Sequence, residues 1–321
     1  MFNRGFKLIT YTLALTFLMA ACMPQMAIAK TVNDSTLNRK VQISVKVTNT
    51  GSQTATAIRV QLPLISADSP YQKTVQETFN QKVEKIETGE AGSRIAHILI
   101  NSIGPGQSEN IIVDYVLNIK PEGGLVASSN SEMQQYLKPS NKIESNNPDI
   151  AAKAKQIAAS ADGEIATVNA IGNFISSHMK YELNSPYKNK GALSALNNGE
   201  GVCEDYAALF VAMCRASGIP ARQVNGFTDP KLTGASWNTP EASISLQGYR
   251  HAWAEVYVKD MGWIAVDPTF NIYPQQGSKS IVKLSNTHIA QNYYDQPVKV
   301  NHQGAKLSVG WGNLLINNNN Y

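Results

Sequence analysis

Three short stretches decide how this 321-residue chain folds: GEGVCEDYAALFVAMCRASGIPAR (199–222), HAWAEVYV (251–258) and GWIAVDPT (262–269). In the first stretch, apolar residues recur at spacings of three and four, and Gly218 followed by Pro220 supplies a stop signal. This pattern predicts a helix that begins near Cys203. The other two stretches alternate in character and are joined by a few turn residues, which predicts an antiparallel hairpin.

The predicted helix and hairpin carry residues suited to nucleophilic chemistry. A cysteine at a helix N-terminus is placed for reactivity, because the free N–H groups and the helix dipole favour its thiolate. Glu204 and Asp205 oppose this effect at Cys203, so a nucleophilic thiol here still needs a base that a third group orients. His251 begins the first hairpin strand and Asp267 follows the second, which makes them the candidate base and orienter.

The length of the hairpin loop determines whether the two candidates meet. With a loop of Lys259–Met261, Asp267 lies opposite Trp253 and diagonal to His251 on the same face of the hairpin. Diagonal neighbours are about 7 Å apart at Cα, so a carboxylate could then hold a ring nitrogen. A two-residue loop would place Asp267 on the other face.

The three stretches resemble, in order and spacing, the core motifs of the transglutaminase-like superfamily of papain-like thiol enzymes, over about residues 140–300. The resemblance implies a catalytic triad in which Cys203 is the nucleophile, His251 the base and then the acid, and Asp267 the orienter. Animal transglutaminases carry an upstream Trp that donates to the oxyanion. No Trp precedes Cys203 here, so the backbone N–H of Cys203 is the donor that we expect. We expect neither a cofactor nor a metal ion.

The N-terminal segment predicts export. Residues 1–29 have a basic start, the apolar run LITYTLALTFLMAA (8–21) and small residues before a cleavage site after Ala29, which is typical of a signal peptide. The alternative is a lipoprotein signal that ends at Cys22, which would then be lipidated. Both hypotheses place the mature protein outside the cytoplasm, either periplasmic or secreted, or anchored through Cys22. No later stretch is long and apolar enough to span a bilayer.

The mature chain divides into two predicted domains. Residues 30–120 contain alternating stretches, such as VQISVKVTN (41–49) and IIVDYVLNI (111–119), separated by turn-rich segments. This pattern predicts an all-β sandwich with an immunoglobulin-like architecture. Residues 121–147 are rich in Gly, Ser, Asn and Pro and predict a linker.

The second predicted domain, residues 148–300, is the catalytic one, and 301–321 form a C-terminal strand and tail. Helices are predicted at about 148–160, with Asn147 as N-cap, and at about 164–180. The whole is an α+β chain in which a papain-like core of helices on an antiparallel sheet follows the sandwich. Two further strands are predicted at IVKL (281–284) and KLSVGW (306–311).

Cysteine spacing predicts free thiols. Cys203 and Cys214 are eleven residues apart on one predicted helix, which separates them by roughly 16 Å along its axis. A disulfide needs Cα atoms within about 7 Å. Cys214 lies among apolar residues of the helix and is predicted to be a packing residue.

The resemblance implies a protein or peptide substrate, and a cell-envelope peptide is one candidate. The net charge is only +4, and Arg4 and Lys7 of the predicted signal peptide contribute two of these charges, which argues against nucleic acid as the partner. The triad implies attack on an amide carbonyl to give a thioester at Cys203. Hydrolysis of the thioester makes a peptidase or amidase, which we favour because the sequence has no recognisable amine tunnel or calcium loop. Transfer to a Lys amine makes a protein-glutamine gamma-glutamyltransferase, and a third hypothesis is an inactive module that binds the cell envelope.

Overall fold

The computed structural model describes residues 37–89, 92–119, 133–229, 244–246, 248–259, 261–274, 284, 287–293 and 298–317. All of them belong to one unit, Ser35–Tyr321. The predicted signal peptide and Cys22 lie outside the described residues. No helix within the described ranges combines the length and the apolar character that crossing a bilayer requires.

Strands outnumber helices in the described chain. The strands, in chain order, are β1 Leu37–Asn49, β2 Ala55–Pro63, β3 Gln72–Phe79, β4 Val83–Thr88, β5 Arg94–Ile103, β6 Ser108–Ile119, β7 Lys180–Tyr181, β8 Glu200–Gly201, β9 Ala221–Thr228, β10 Ile244–Ser245, β11 Arg250–Val258, β12 Gly262–Val266, β13 His288–Asn292, β14 Lys299–Gln303 and β15 Leu307–Asn317. The helices are α1 Pro148–Ala158, α2 Glu164–His178, α3 Ala192–Asn198 and α4 Cys203–Ala216, and a 3-10 turn covers Gln135–Leu137.

The N-terminal strands form a β-sandwich. One sheet has the order β10-β15-β1-β6-β3 and the other β14-β2-β5-β4. Alternate side chains of both sheets point into one apolar core, as Ile43 and Val45 do from β1 and Ile58 and Val60 do from β2, all with no exposed surface. Burial of each such side chain contributes about 1.5–3 kcal/mol, so the alternation of the sequence fixes which face of each strand is inside. The immunoglobulin-like architecture stays a prediction.

The two last strands complete this sandwich. The β15 strand pairs antiparallel with β1, with Ile43 opposite Leu314, and β14 pairs with β2, with Val300 opposite Val60. Segment 301–321, which the sequence predicts as a strand and tail, thus includes strands of both sandwich sheets. Both ends of the described chain therefore contribute to the sandwich, and helices α1 to α4 lie between them in sequence.

The predicted linker is partly packed. Residues 120–132 lie outside the described residues, but Tyr136 in the 3-10 turn contacts the ring of Trp263 edge to face, with 4.9 Å between ring centroids. The guanidinium of Arg215 donates to the carbonyl of Lys138 at 2.6 Å and to Ser140 Oγ at 3.1 Å. The end of this segment is therefore bound to the domain that follows it.

Helix α4 lies at the centre of the second domain. Every residue of α4 except Glu204 and Ala216 is buried, which is typical of a helix enclosed on all sides. It packs against β9 and β11 of the antiparallel sheet β12-β11-β9-β13 on one side and against α1, α2 and α3 on the others. The helix ends at Ala216, and the left-handed φ of 80° at Gly218 lets the N–H of Ile219 donate to the carbonyl of Cys214 at 2.9 Å.

Most predicted elements of this domain are confirmed. The first two helices begin at Pro148 and Glu164, and the Asn147 side chain caps α1 by accepting from the N–H of Asp149 at 2.9 Å. The fold class is α+β with antiparallel sheets, as predicted. Of the predicted strand 281–284, residues 281–283 lie outside the described residues. KLSVGW (306–311) lies at the start of the longer strand β15.

The hairpin has the three-residue loop. Val258 pairs with Gly262 and Ala254 with Val266, which leaves Lys259–Met261 as the connection. Gly262, the first residue after the loop, has a φ of 77°, a left-handed conformation that glycine adopts without steric cost. The register therefore places Asp267 on the same face as His251.

Candidate active site

Cys203 is the first residue of α4, with 6% of its surface exposed. Its Sγ atom donates a hydrogen bond to Oε2 of Glu204 at 3.1 Å, and the side chain packs against Ala252 of β11. In the described part of the chain, no hydrogen bond joins this thiol to His251. Burial, and then the Glu204 carboxylate, raise the pKa of Cys203 well above its ordinary value. The thiol is therefore protonated at neutral pH and needs a base to become a nucleophile.

The segment before Cys203 is held by Asp205. The Oδ2 atom of this buried carboxylate accepts from the backbone N–H of Val202 at 3.0 Å and from that of Asn189 at 2.9 Å. Gly201 makes room for it, since a Cβ at this position would lie 2.5 Å from Oδ2. Asp205 thus acts inside the fold to fix the start of α4.

His251 and Asp267 meet as the hairpin register predicts. Nε2 of His251 lies 2.8 Å from Oδ2 of Asp267, and both side chains are buried. The other carboxylate oxygen, Oδ1, accepts from the backbone N–H of Thr269 at 2.9 Å and of Phe270 at 3.3 Å, in the manner of an Asx turn. A pair of backbone hydrogen bonds to Ile272, each 2.9 Å, fixes the main chain of Asp267.

A second histidine contacts the same carboxylate. Nε2 of His288, on β13, lies 3.0 Å from Oδ2 of Asp267. Its Nδ1 lies 2.8 Å from the hydroxyl of Thr287, and the hydroxyl of Thr228 lies 3.2 Å from Nε2. Sequence reasoning missed His288, because this lone histidine belongs to none of the recognised motifs and its strand was not predicted.

The protonation states of this cluster follow from burial and hydrogen bonding. Burial alone would raise the pKa of Asp267, but the hydrogen bonds and charges of His251 and His288 outweigh it and hold that pKa well below its ordinary value. Asp267 is therefore a carboxylate that only accepts, so each histidine presents Nε2–H to it. For His251, this leaves Nδ1 as the nitrogen available to the thiol. Burial lowers the pKa of His288, although Asp267 acts in the opposite sense, so His288 is neutral.

A glycine brings the strands of this cluster together. Gly226 of β9 pairs with His251 on one side and with Ala290 on the other. A Cβ at Gly226 would overlap the carbonyl oxygen of Ile289 and lie 2.6 Å from the ring of Trp253. Only glycine permits this approach, which allows histidines from strands on both sides of β9 to reach one carboxylate.

Tyr181 is a second residue that sequence reasoning did not find. The short parallel pair β7–β8 places Tyr181 beside Gly201, two residues before the thiol, and its ring lies 6.1 Å from that of Tyr206. Partial burial, and then the neighbouring Cys203 and Glu204, raise the pKa of Tyr181 to about 12. The phenol therefore keeps its proton at neutral pH and can donate a hydrogen bond next to Cys203. A search for an upstream Trp would not detect it.

Behind the hairpin lies a buried ion pair. Arg222 donates to Oε2 of Glu255 at 2.7 Å, and neither side chain is more than 8% exposed. The guanidinium also lies over the ring of Tyr293, 3.8 Å from its centroid, and over Trp263, 4.5 Å from its centroid. Glu255 is thus a support of the sheet rather than a member of the candidate site. Cys214 is fully buried, and both described thiols are free, as predicted.

Among the described residues, one group could hold a metal ion. The ligand atoms of His251, Asp267 and His288 lie within 4.8 Å of one another. The hydrogen bonds described above already use these atoms: each Nε2 carries the proton that it donates to Oδ2.

Comparisons with known proteins agree with the fold. Residues 151–268 match the family model of the transglutaminase-like superfamily. An uncharacterised protein of Mycobacterium leprae is 32% identical over 126 residues, which are 39% of this chain and 42% of the relative. A protein-glutamine gamma-glutamyltransferase of Pseudomonas aeruginosa is 36% identical over 76 residues, which are 24% of this chain and 11% of the relative. The matches thus span less than half of either relative.

Among solved structures, a candidate cysteine protease from Cytophaga hutchinsonii has a similar fold. It superposes with a TM-score of 0.55 over 88% of this chain and 97% of the other, at 16% sequence identity. At this identity the similarity concerns the fold, which here includes both the sandwich and the domain that carries Cys203.

Proposed function

Because residues 151–268 match the family model of the transglutaminase-like superfamily, we propose that this protein is an exported thiol enzyme that attacks amide carbonyls with Cys203. The observation that carries the proposal is the 2.8 Å hydrogen bond between His251, on the strand β11 that packs against the helix beginning at Cys203, and Asp267, which follows β12. It supplies an oriented imidazole for a thiol that is protonated at rest.

The first half of the reaction forms a thioester. The thiol proton passes to Nδ1 of His251 as Sγ bonds to the carbonyl carbon, and the carbonyl electrons move to its oxygen. Asp267, which accepts from Nε2–H, stabilises the imidazolium. When the oxyanion collapses, the C–N bond breaks and His251 returns the proton to the departing amine. The product is an acyl group on Cys203.

Before this step the thiol exchanges one partner for another. At rest it donates to Glu204. Rotation about the Cα–Cβ bond of Cys203 turns the S–H from Glu204 towards the ring of His251. His251 directly precedes Ala252 in the chain. The contact between Cys203 and Ala252 supports a short path for this rotation.

The oxyanion needs donors on the thiol side of the carbonyl. The backbone N–H of Cys203 at the start of α4 is one, because the first N–H groups of a helix have no partner within it. The Tyr181 hydroxyl is the second, since its raised pKa keeps it a donor and it lies beside Cys203. Loss of one such donor costs about 100- to 1000-fold in turnover in a serine protease.

The acyl acceptor decides the enzyme class. We favour water, activated by the same His251, which makes the protein a peptidase or amidase acting on protein or cell-envelope peptide. Transfer to an amine is the second candidate, because the relative from Pseudomonas aeruginosa is a protein-glutamine gamma-glutamyltransferase. The signal-like segment 1–29, or lipidation at Cys22, supports export to the periplasm or beyond.

One experiment tests both classes. The full-length mature protein is incubated with a peptide library that contains glutamine donors, together with a labelled primary amine. New peptide termini or free carboxylates report hydrolysis, and incorporation of label reports transamidation. We expect hydrolysis to predominate and Cys203→Ala to remove both signals. Retained activity in Cys203→Ala would overturn the mechanism, and predominant amine incorporation would replace the peptidase by the transferase.

A further inference from the structure

His288 lies twenty residues beyond the matched family domain and nevertheless contacts its central carboxylate. We propose that His288 is a positioning residue, which holds the Asp267 carboxylate so that it can orient His251. We also infer that the N-terminal sandwich fixes the strand that carries His288. The inference rests on the proposed function of Cys203, His251 and Asp267, and it adds a residue and a domain to that machinery.

The hydrogen bonds to Asp267 come from three sides. Backbone N–H groups of Thr269 and Phe270 hold Oδ1, whereas Oδ2 is held by the two imidazoles at 2.8 and 3.0 Å. His251 must change its charge during the reaction, so it is not a fixed anchor. His288 is the donor to Oδ2 that takes no part in proton transfer. It therefore keeps Oδ2 in place while His251 gains and loses its proton.

The tautomer of His288 is set by its neighbours. The Thr228 hydroxyl donates to the carbonyl of Thr287 at 3.0 Å, so its oxygen is an acceptor on the Nε2 side of the ring. The Thr287 hydroxyl can donate to Nδ1 at 2.8 Å. The ionised Asp267 and the Thr228 oxygen both accept on the Nε2 side, which favours the ring with its proton on Nε2. The titratable groups that face the ring are Asp267 and His251, and the edge contact from Trp253 is uncharged.

A neutral donor has a specific advantage here. A second cation on Asp267 would neutralise the carboxylate and weaken its attraction for the imidazolium of His251. A buried, uncharged imidazole orients the Asp267 carboxylate without adding a positive charge next to it. His288 has no exposed surface, so water does not compete for the hydrogen bond.

The sandwich holds the strand that carries this histidine. The side-chain amide of Gln72, on β3, donates to the carbonyl of Ala290 at 2.9 Å, and its oxygen accepts from the N–H of Ala290 at 3.0 Å. The N–H of Ser66 donates to the same carbonyl at 3.2 Å. Gln72 is 1% exposed, so these bonds are not shared with solvent. The sandwich thus acts as a backbone partner for β13 two residues from His288.

The test compares variants that differ in the donor. His288→Phe keeps a ring but removes the N–H, His288→Gln keeps an N–H within reach, and Thr287→Val removes the hydroxyl on Nδ1 with little change of shape. His178→Phe, at a histidine outside the site, is the matched control. The readout is the rate of iodoacetamide alkylation of Cys203 in the full chain between pH 5 and 9, measured by mass spectrometry, together with kcat and KM for the best library peptide.

We expect His288→Phe to slow alkylation at pH 7 and to lower kcat by roughly 10- to 100-fold, the loss typical of outer hydrogen-bond partners of metal-bound histidines, with little change in KM. The rise of its alkylation rate should move to higher pH. His288→Gln should recover most of the rate, and Thr287→Val should lose less than His288→Phe. If His288→Phe does not fold, Thr287→Val carries the test.

Three results would overturn the inference. One is a pH profile of His288→Phe, or of Thr287→Val where that variant carries the test, that equals wild type. Another is an equal loss in His178→Phe. The third is a wild-type rate that falls after treatment with EDTA as far as it does in His288→Phe, which would assign the cluster to a metal ion. Failure of the proposed function is distinct, because it appears as activity retained in Cys203→Ala.

Discussion

At the scale of single residues, the most informative contact is the one between Cys203 and Glu204. Burial, and then the carboxylate, raise the pKa of the thiol, and the carboxylate also accepts its proton in a 3.1 Å hydrogen bond. The dipole of α4 acts in the opposite direction. The Cys203 thiol is therefore protonated at rest, and a neighbouring base must remove its proton before it can act as a nucleophile.

Replacing this carboxylate should activate the thiol. In Glu204→Gln the negative charge is absent, so the pKa of Cys203 falls towards its ordinary value and more thiolate exists at pH 7. A change of one pKa unit corresponds to about tenfold more thiolate, and we expect a gain of roughly that size in alkylation rate. The control is Glu200→Gln, which removes a carboxylate that bonds Ser185 instead. An unchanged pH profile in Glu204→Gln would contradict this account.

The two described thiols should differ in reactivity. Cys203 lies at a helix start beside an imidazole-bearing strand with 6% of its surface exposed, whereas Cys214 is fully buried. We expect iodoacetamide to label Cys203 much faster at neutral pH in the native protein, and both at similar rates in guanidinium chloride. Peptide mapping after timed quenching gives the two rates. Faster native labelling of Cys214 would reverse the assigned roles.

The orienter should matter less than the nucleophile. Asp267→Asn retains one oxygen, which can accept a hydrogen bond from an imidazole. Its NH₂ group, however, takes the place of an oxygen that accepts hydrogen bonds in the wild type, so donors there lose their acceptor. Activity should fall by less than the roughly 10⁴-fold seen for the equivalent change in a serine protease, because sulfur is the better nucleophile. Cys203→Ala should leave none. Library turnover of variants with matched melting temperatures measures both, and equal losses would show that Asp267 does more than orient.

At the scale of elements, the sequence predicts those helices and strands that have a clear local pattern of apolar residues and turn signals. Helix α4 and the hairpin β11–β12 carry strong periodicity and turn signals, so both form where the sequence predicts them. Of the two loop lengths that the sequence leaves open, the structure has the three-residue loop Lys259–Met261. The meeting of His251 and Asp267 follows from that register alone. Strand β13 is different, because all five of its residues are buried and therefore show no alternation of apolar and polar residues. The segments on either side of it also lack a clear pattern. Its role depends on partners more than 200 residues earlier, such as Gln72, which no local signal reveals.

Strand β13 should loosen when its side-chain partner is removed. In Gln72→Met the shape is kept, but the N–H and carbonyl of Ala290 lose their bonds to this side chain. An unsatisfied buried polar group costs about 1–3 kcal/mol, so the melting temperature should fall by several degrees. Turnover should fall too, since β13 carries His288. Gln76→Met, an exposed position on the same strand β3, is the control and should match wild type.

At the scale of the whole molecule, buried ionisable groups make stability depend on pH. His288 is neutral when folded, because burial lowers its pKa below the ordinary 6.5, whereas the unfolded chain protonates it near that value. Below about pH 6.5 the unfolded state therefore binds the extra proton, and stability is lost as the pH falls towards the folded pKa. The lowered pKa of Asp267 acts in the same direction, but only below its ordinary 3.8.

Removal of the His288 imidazole should make the stability of the folded protein depend less on pH. His288→Gln has no ionisable side chain at this position, so its melting temperature relative to wild type should rise as the pH falls from 7 to 5. Thermal unfolding followed by circular dichroism at several pH values measures this difference. A difference that stays constant over this range would show that His288 is not held neutral in the folded protein.

The pairing of β1 with β15 also orders events in time. The first of these strands is synthesised more than 250 residues before the second, and the domain that carries Cys203 is made between them. Until β15 arrives, β1 has β6 on one side and an open edge on the other, and contacts so distant in sequence form slowly. The intervening domain has its own core around α4, which can form without waiting for β15. The β1–β15 pair can therefore form only after the segment that carries Cys203 has been synthesised.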